Sequence, residues 1–396
     1  MLPGRAVSRL SRHRIRITPS IVPSAHVSRV QLCRRHLHLQ GLALAPVVYA
    51  GLFVSLWTWK CFMMVVFQNK IIYMPGLPPN SRWEKIEDYR RRLANIAWRE
   101  ERVRAADGTD LALCVADLEL GSESQRRSPN TAFYILYFQG NASSIPPRLP
   151  ELSSVLSLLK REMSLEQSNA RCTMVCLSYR GYWTSRGRPT EKGLRLDSAA
   201  AIEWISRTHQ ETSHGDRRSP AEVVLWGQSI GSGVATNLAA EKPMPENLRL
   251  NSLILETPFT SIRAMLEVLY PQKWLPYKYL WPFLRNHLNS WENLKLITDM
   301  YREKASVPEV LIVQAAKDEL VPAELTEKLY SRCIELQLPV RKTSVSGAFH
   351  NDATFRTEGR MAISQFLALR IRAARTRVPK VIEQVADSDD SVHSNR

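Results

Sequence analysis

The stretch VVLWGQSIGSGVA, Val223 to Ala235, sets Ser229 between Gly227 and Gly231 directly behind an apolar, β-branched run. A serine hydroxyl is a poor nucleophile until a neighbouring base takes its proton. The Gly227-Gln228-Ser229-Ile230-Gly231 spacing suits that chemistry for a steric reason. A strand that turns at once into a helix leaves no room for a Cβ at either glycine, and it holds the serine at strained angles with its hydroxyl exposed. The new helix also aims free N–H groups and its positive dipole end at the same point. Taken alone the motif is common. The strand-like run before it and VATNLAA after it supply the context it needs.

The base must be a histidine, and the chain has nine. His13, His26, His36 and His38 lie in an arginine-rich leader, His209 and His214 in a polar loop, His287 in an insertion and His393 in the C-terminal tail. His350 ends the last apolar run in VSGAFHND, beyond the turn at Gly347, and is the candidate base. An acid is needed to fix its tautomer and steady the imidazolium. Asp318 ends VLIVQAAKDELVP, one strand earlier, and the order Ser…Asp…His fits a nucleophile placed after a middle strand. Three alternatives stay open: Asp318 as a cap for a helix near Pro322, the adjacent Glu319, and Glu256 at the end of LILETPF. Two N–H donors are required for an oxyanion. The amides of Ile230 and of Asn141, in the loop Gln139-Gly140-Asn141-Ala142 after FYILYF, are the candidates.

These residues need a sheet to hold them. RVRAADGTDLALCVAD reads as two strands around an Asp-Gly turn. TAFYILYFQG, CTMVCLSYRGY, AEVVLWGQS, LNSLILETPF, PEVLIVQAAKD and VRKTSVSGAFH are further strands. Helices fall around Leu152–Glu162, in SAAAIEWISRT, after Ser229, in AELTEKLYSRCIEL and in FRTEGRMAISQFLALRI. Continuous apolar runs mark strands buried on both faces. The pattern predicts an α/β fold with a mostly parallel, doubly wound sheet opened by an antiparallel pair, whose ligands bind beyond the carboxyl ends of the strands.

Composition bounds the rest. The chain has 396 residues and a formal net charge of +16. Residues 1–40 carry eight arginines and no acid, so about half the excess lies in the leader and no basic stripe marks the remainder. Phosphate binding needs cations clustered on one face, so nucleic acid is not an expected partner. Leu42 to Trp59 is free of charge, and the apolar run resumes after Lys60 as far as Phe67. Eighteen residues of helix reach about 27 Å, close to the roughly 30 Å hydrocarbon core. Lys60 can snorkel, and Trp57 and Trp59 suit an interface belt. The expectation is a single-pass membrane protein of the endoplasmic reticulum or plasma membrane. The acid-free leader keeps a mitochondrial membrane open as an alternative. Cys33, Cys61, Cys114, Cys172, Cys176 and Cys333 form no metal or disulfide framework, and no cofactor is implied. The organisation expected is a leader (1–40), a signal anchor (41–68), a Pro-rich connector (69–100), a catalytic domain (101–375) and a polar tail (376–396). An aromatic, lid-like insertion at about 265–302 offers an apolar wall to an acyl chain or a membrane.

YFQGNA, SYRGYWTSRGRPTEKGL, GQSIGSGVA, ETPFTSI, KDELVP and FHND follow one another in this order. The set resembles the membrane-anchored α/β-hydrolase-domain proteins of the fungal bud-emergence-suppressor branch and their animal counterparts, from about Ile71 to Leu369. The resemblance implies an α/β-hydrolase fold and a Ser229, Asp318, His350 triad; related branches remove fatty acyl groups from protein thioesters. One departure stands out: Gln139 occupies the place of the family's histidine, where it can still donate a hydrogen bond across the loop. Gln139, Gly140, Arg180, Tyr182 and Trp274 are candidate pocket-lining residues, and Asp197 is expected to be structural. The function expected is hydrolysis of an ester or thioester, with a lipid or fatty-acylated protein as substrate. A serine peptidase and a catalytically weak scaffold are the alternatives.

Overall fold

The apolar runs pair as their burial on both faces requires. In the computed structural model, which describes residues 39–120, 131–164, 170–212, 220–303 and 306–377, they form one eight-stranded sheet. The strands are β1 (Trp98–Arg104), β2 (Asp110–Leu120), β3 (Thr131–Phe138), β4 (Ala170–Ser178), β5 (Ala221–Gln228), β6 (Leu248–Glu256), β7 (Glu309–Ala315) and β8 (Val340–Val345). Their order is β1-β2-β4-β3-β5-β6-β7-β8. The neighbours from β4 to β8 pair in parallel, while β2 runs antiparallel to both β1 and β4. The central strand β5, AEVVLWGQ, is buried throughout. The edge strands are the charged ones: WREERVR in β1 and VRKTSV in β8, a composition that discourages pairing with a foreign strand.

Side chains alternate between the two faces, as the pleat dictates. Leu225, Leu253, Leu255 and Ile312 face a core completed by α4 (Glu191–Thr212), α5 (Ile230–Glu241), α7 (Ser290–Arg302) and α8 (Ala323–Glu335). Val224, Trp226, Ile254 and Val313 face the other core, completed by α3 (Leu149–Ser164) and α9 (Thr357–Arg377). Cys114, Cys172, Cys176 and Cys333 are buried free thiols, and burial pushes Cys172 and Cys333 up to about 12.

The chain divides into one unit ending at Leu56 and another beginning at Trp57. Helix α1 (Leu39–Val66) contains Leu44–Val66, 23 residues of mean hydropathy 1.4, long and apolar enough to cross a membrane. The short α2 (Gln68–Tyr73) follows it. Between β6 and α7 lies the aromatic insertion, built of α6 (Ile262–Leu269) and a 3₁₀ turn over Pro276–Phe283. The helix α7 after it packs on α5 as part of the core layer, through Leu294 and Ile297. The leader to residue 38 with Cys33, the polar stretch 121–130, His214 and the tail from residue 378 lie outside the described residues.

Glu191 ties the end of the insertion to the helical layer. Its carboxylate accepts from the His287 and Leu288 amides, from Asn237 Nδ2 at 3.0 Å and from Arg195 Nη2 at 3.2 Å. Burial alone would raise this carboxyl, but the two amides, Arg195 and Asn237 outweigh it and hold Glu191 below its usual range. A carboxyl depressed in the folded state stabilises above its unfolded pKa, and that stability is lost as pH falls through the folded value. Urea unfolding should therefore show the wild type losing stability from pH 6 toward pH 3. Glu191→Gln should flatten that dependence, and Glu191→Ala should cost about 1–3 kcal/mol at pH 7 for each buried donor it orphans. Equal acid slopes in wild type and Glu191→Gln would contradict this role.

Candidate active site

The turn between β5 and α5 is built by what its glycines lack. A Cβ on Gly227 would run into the Gly231 carbonyl, and a Cβ on Gly231 would run into the Phe138 and Gln139 carbonyls. With neither present, Ser229 takes φ 52°, ψ −117°, a region that a residue with a side chain occupies only under constraint. Its N–H donates to the Glu256 carbonyl at 2.8 Å, and Ser232 Oγ donates to the Gly227 carbonyl at 2.8 Å. Below the turn, the buried Glu256 carboxylate accepts from Trp226 Nε1 at 3.2 Å and Thr354 Oγ1 at 3.1 Å, with Arg148 Nη2 3.8 Å away. Glu256 thus supports the nucleophile turn from beneath, and its carboxylate is spent on these partners.

Ser229, His350 and Asp318 come together at the carboxyl edge of the sheet. Ser229 Oγ lies 2.9 Å from His350 Nε2, and His350 Nδ1 lies 2.8 Å and 3.0 Å from the two Asp318 oxygens. An ionised carboxylate only accepts, so Nδ1 carries the hydrogen and the Nε2 lone pair is left to accept from the serine hydroxyl. Asp318 Oδ1 also accepts from the Leu320 and Val321 amides, at 3.0 Å and 2.7 Å. Those bonds fold the loop back on the carboxylate and fix its aim. Glu319 accepts from the His350 main-chain N–H at 2.9 Å, which holds the loop that carries the ring. Lys317 N–H to the Ala348 carbonyl, 2.8 Å, stitches the loops after β7 and β8 together. Ser229 is 6% exposed and His350 1%, so the chain of hydrogen bonds is shielded from water. Shielding strengthens electrostatic interactions of this kind.

The loop after β3 passes directly over the serine. A Cβ on Gly140 would lie 3.6 Å from the Ser229 Cβ and 3.4 Å from Gln228 Oε1. Ala142 and Ser143 hold φ 58° and 61°, two successive left-handed residues that need external support. The support comes from the end of α2 and the segment after it. The Ala142 N–H donates to the Tyr73 carbonyl at 3.0 Å, the Ser143 N–H to the Leu77 carbonyl, and Ser144 Oγ to Glu84. Tyr73 is itself anchored through its hydroxyl to Asn286 Oδ1 at 3.0 Å, and the Asn286 amide donates to Asn69 Oδ1 at 2.6 Å. The Asn141 and Ile230 N–H groups make no hydrogen bond among the described residues.

Several expected pocket residues do other work. Gln139 is buried, and neither its Oε1 nor its Nε2 finds a partner, so the hydrogen bond expected of it across the loop is not made. Arg180 donates through its main-chain N–H and its Nε to Asp197 at 2.8 Å and 2.9 Å, and through Nη1 to Asp107 at 2.7 Å. It braces the loop after β4 instead of lining a pocket, and its hydrogen bonds hold the Asp107 carboxyl at about 2. Tyr182 is fully buried, edge-on to Tyr179, with its hydroxyl on the Tyr73 carbonyl; it too is a brace. Trp274 is 71% exposed and belongs to an outer surface. Tyr73, Asn286 and Gln68 have no sequence signal, because each is a single polar or aromatic residue whose partner lies some two hundred positions away.

No family model matches the chain. Protein bem46 of Schizosaccharomyces pombe is 28% identical over 303 residues, 76% of this chain and 86% of that one. Alpha/beta hydrolase domain-containing protein WAV2 of Arabidopsis thaliana is 29% identical over 279 residues, 68% of this chain and 77% of that one. The lysophosphatidylserine lipase ABHD12 of Danio rerio is 33% identical over 201 residues, 50% of this chain and 46% of that one. The match spans 64% of the length of a Mycobacterium tuberculosis protein to which the chain is 33% identical. Among solved structures, an alpha-beta hydrolase from Vibrio vulnificus superimposes with a TM-score of 0.51 at 16% identity, over 78% of this chain and 92% of that one. The chain has the α/β-hydrolase fold and is similar in sequence to protein bem46 and to WAV2.

Proposed function

We propose that the protein is a membrane-anchored serine hydrolase that cleaves a carboxylic ester or thioester of a long acyl chain through a covalent acyl-enzyme. The observation that carries this reading is the continuous relay from Ser229 Oγ to His350 Nε2 at 2.9 Å and from His350 Nδ1 to Asp318 at 2.8 Å. Ser229 attacks the carbonyl carbon as His350 takes its proton. The developing oxyanion is held by the Ile230 and Asn141 amides, and His350 returns the proton to the leaving alcohol or thiol. Water, deprotonated by the same histidine, then releases the acid. Asp318 keeps the ring in the required tautomer and stabilises its positive form. The anchor is the 23-residue apolar stretch of α1, about 35 Å of helix against roughly 30 Å of hydrocarbon. A lipid substrate is favoured by that anchor and by the zebrafish relative's description as a lysophosphatidylserine lipase.

The second reading is a scaffold with little turnover. It is favoured by the unpaired amide of Gln139, a buried polar group left without compensation beside the nucleophile. A fluorophosphonate probe separates the two, since a scaffold leaves Ser229 unlabelled.

Four variants test the enzyme. Ser229→Ala should abolish labelling and lower ester turnover by roughly a millionfold. Asp318→Asn should leave the fold intact and cost about ten-thousandfold in kcat. Retained turnover in Ser229→Ala ends the reading. Asn286→Ala removes the anchor of Tyr73, and with it the support of the loop over the serine. A displacement of about 1 Å there should cost on the order of a hundredfold in kcat with KM little changed, because such losses come from misplacement alone. An unaltered kcat would detach that support from catalysis. Gly231→Ala should lower both the melting temperature and the labelling rate, with a stability loss of about 1–3 kcal/mol or more from overpacking against Phe138.

A further inference from the structure

We propose that the segment from Ile262 to Arg285 is an interfacial strap, lying in the headgroup layer of the bilayer that α1 crosses, with its exposed rings at the acyl boundary and its cations toward lipid phosphates. The proposal rests on the reading of α1 as a membrane span.

Position comes first. The strap follows the chain as it leaves the apolar helix. Arg285 Nη2 donates to the Val65 and Val66 carbonyls at 3.0 Å and 3.1 Å, where the candidate span ends. Gln68 donates to the Phe283 carbonyl at 3.1 Å and accepts from the Arg285 N–H at 2.7 Å. The Lys60 ammonium sits 4.6 Å above the Tyr277 ring. Contact thus runs from Lys60 to Gln68, about 12 Å along a helix axis. One headgroup layer is about 5–7 Å deep, so a strap of that reach straddles the boundary between headgroups and acyl chains.

Chemistry agrees with position. Leu269, Trp274, Tyr279, Trp281 and Phe283 are all exposed, Trp274 at 71% and Phe283 at 61%, within fifteen residues. Monomeric soluble proteins rarely leave so dense an apolar cluster in water. Arg263, Lys273, Lys278 and Arg285 stand against one acid, Glu267. The Arg263 guanidinium lies 4.1 Å over the Trp281 ring and the Lys278 ammonium 4.9 Å over Tyr279. Rings that carry cations on their faces suit a layer that is apolar below and anionic above, which is where tryptophan and tyrosine collect in membrane proteins. The strap leaves the sheet just after Glu256, beside the Ser229 turn, so a lipid would reach the carboxyl edge without leaving the interface.

The test uses the full chain in phosphatidylcholine nanodiscs, with an environment-sensitive fluorescent amino acid at residue 274 or 281. A control places it at Met361, an exposed position of α9 on the opposite face of the sheet. Lipids brominated near the top of the acyl chain act as quenchers. Probes at 274 and 281 should be blue-shifted and quenched at least about twofold more than the probe at 361, as expected for side chains at the acyl boundary. Quenching no stronger than at 361 overturns the strap and leaves a protein partner as the occupant of this surface. Alkaline carbonate extraction of the same chain keeps the two readings apart. Release into the supernatant overturns the span and the strap together, whereas retention with unquenched strap probes overturns the strap alone.

Discussion

Three strands of backbone meet at Ser229 closer than side chains would allow, and the remainder of the site depends on that approach. Gly227 stands against the Gly231 carbonyl, and Gly231 against the carbonyls that end β3. The packing forces the serine to φ 52° and turns its hydroxyl to the carboxyl edge of the sheet. Strain of this kind costs about 1–3 kcal/mol and persists only where the surroundings over-determine it. Here they do so through the Ser229 N–H bond to Glu256 and through a central strand buried along its whole length. The parallel sheet then supplies the rest, because strands running the same way deliver their following loops to one edge. Asp318 after β7 and His350 after β8 arrive beside the serine for that reason.

The loop over the serine is held from outside the sheet. Two left-handed residues at 142 and 143 would relax without their bonds to Tyr73 and Leu77. Tyr73 is in turn fixed by Asn286 from the insertion and receives the Tyr182 hydroxyl from the loop after β4. The segment leaving the apolar helix is therefore part of the wall above the nucleophile. The chain just after the apolar helix, the insertion and the site share one hydrogen-bonded network, and buried networks of this sort are costly to satisfy only in part.

Much of this was legible in the residues. The strand–turn–helix context of Ser229 could be read because two glycines and an apolar run make a local pattern. His350 and Asp318 could be read because each lies in the loop after one of the last two strands, and chain order then assigns the edge. Arg180 and Tyr182 could not, since position after a strand does not say whether a side chain faces a pocket or is spent on Asp197, Asp107 or a distant carbonyl. Gln139 misled for a related reason: a side chain able to donate is not one that finds an acceptor. The Tyr73–Asn286 link joins residues 213 positions apart and carries no periodicity, so only the folded chain reveals it.

The central claim is that Ser229 becomes covalently acylated and that His350 is the group that makes it reactive. Rapid-quench mass spectrometry with a slowly deacylating ester measures this directly. One acyl group per chain is expected in wild type, on the peptide that contains Ser229, and none in His350→Ala. Acylation of a different residue, or ester turnover with no acylated intermediate and undiminished by loss of His350, would contradict it.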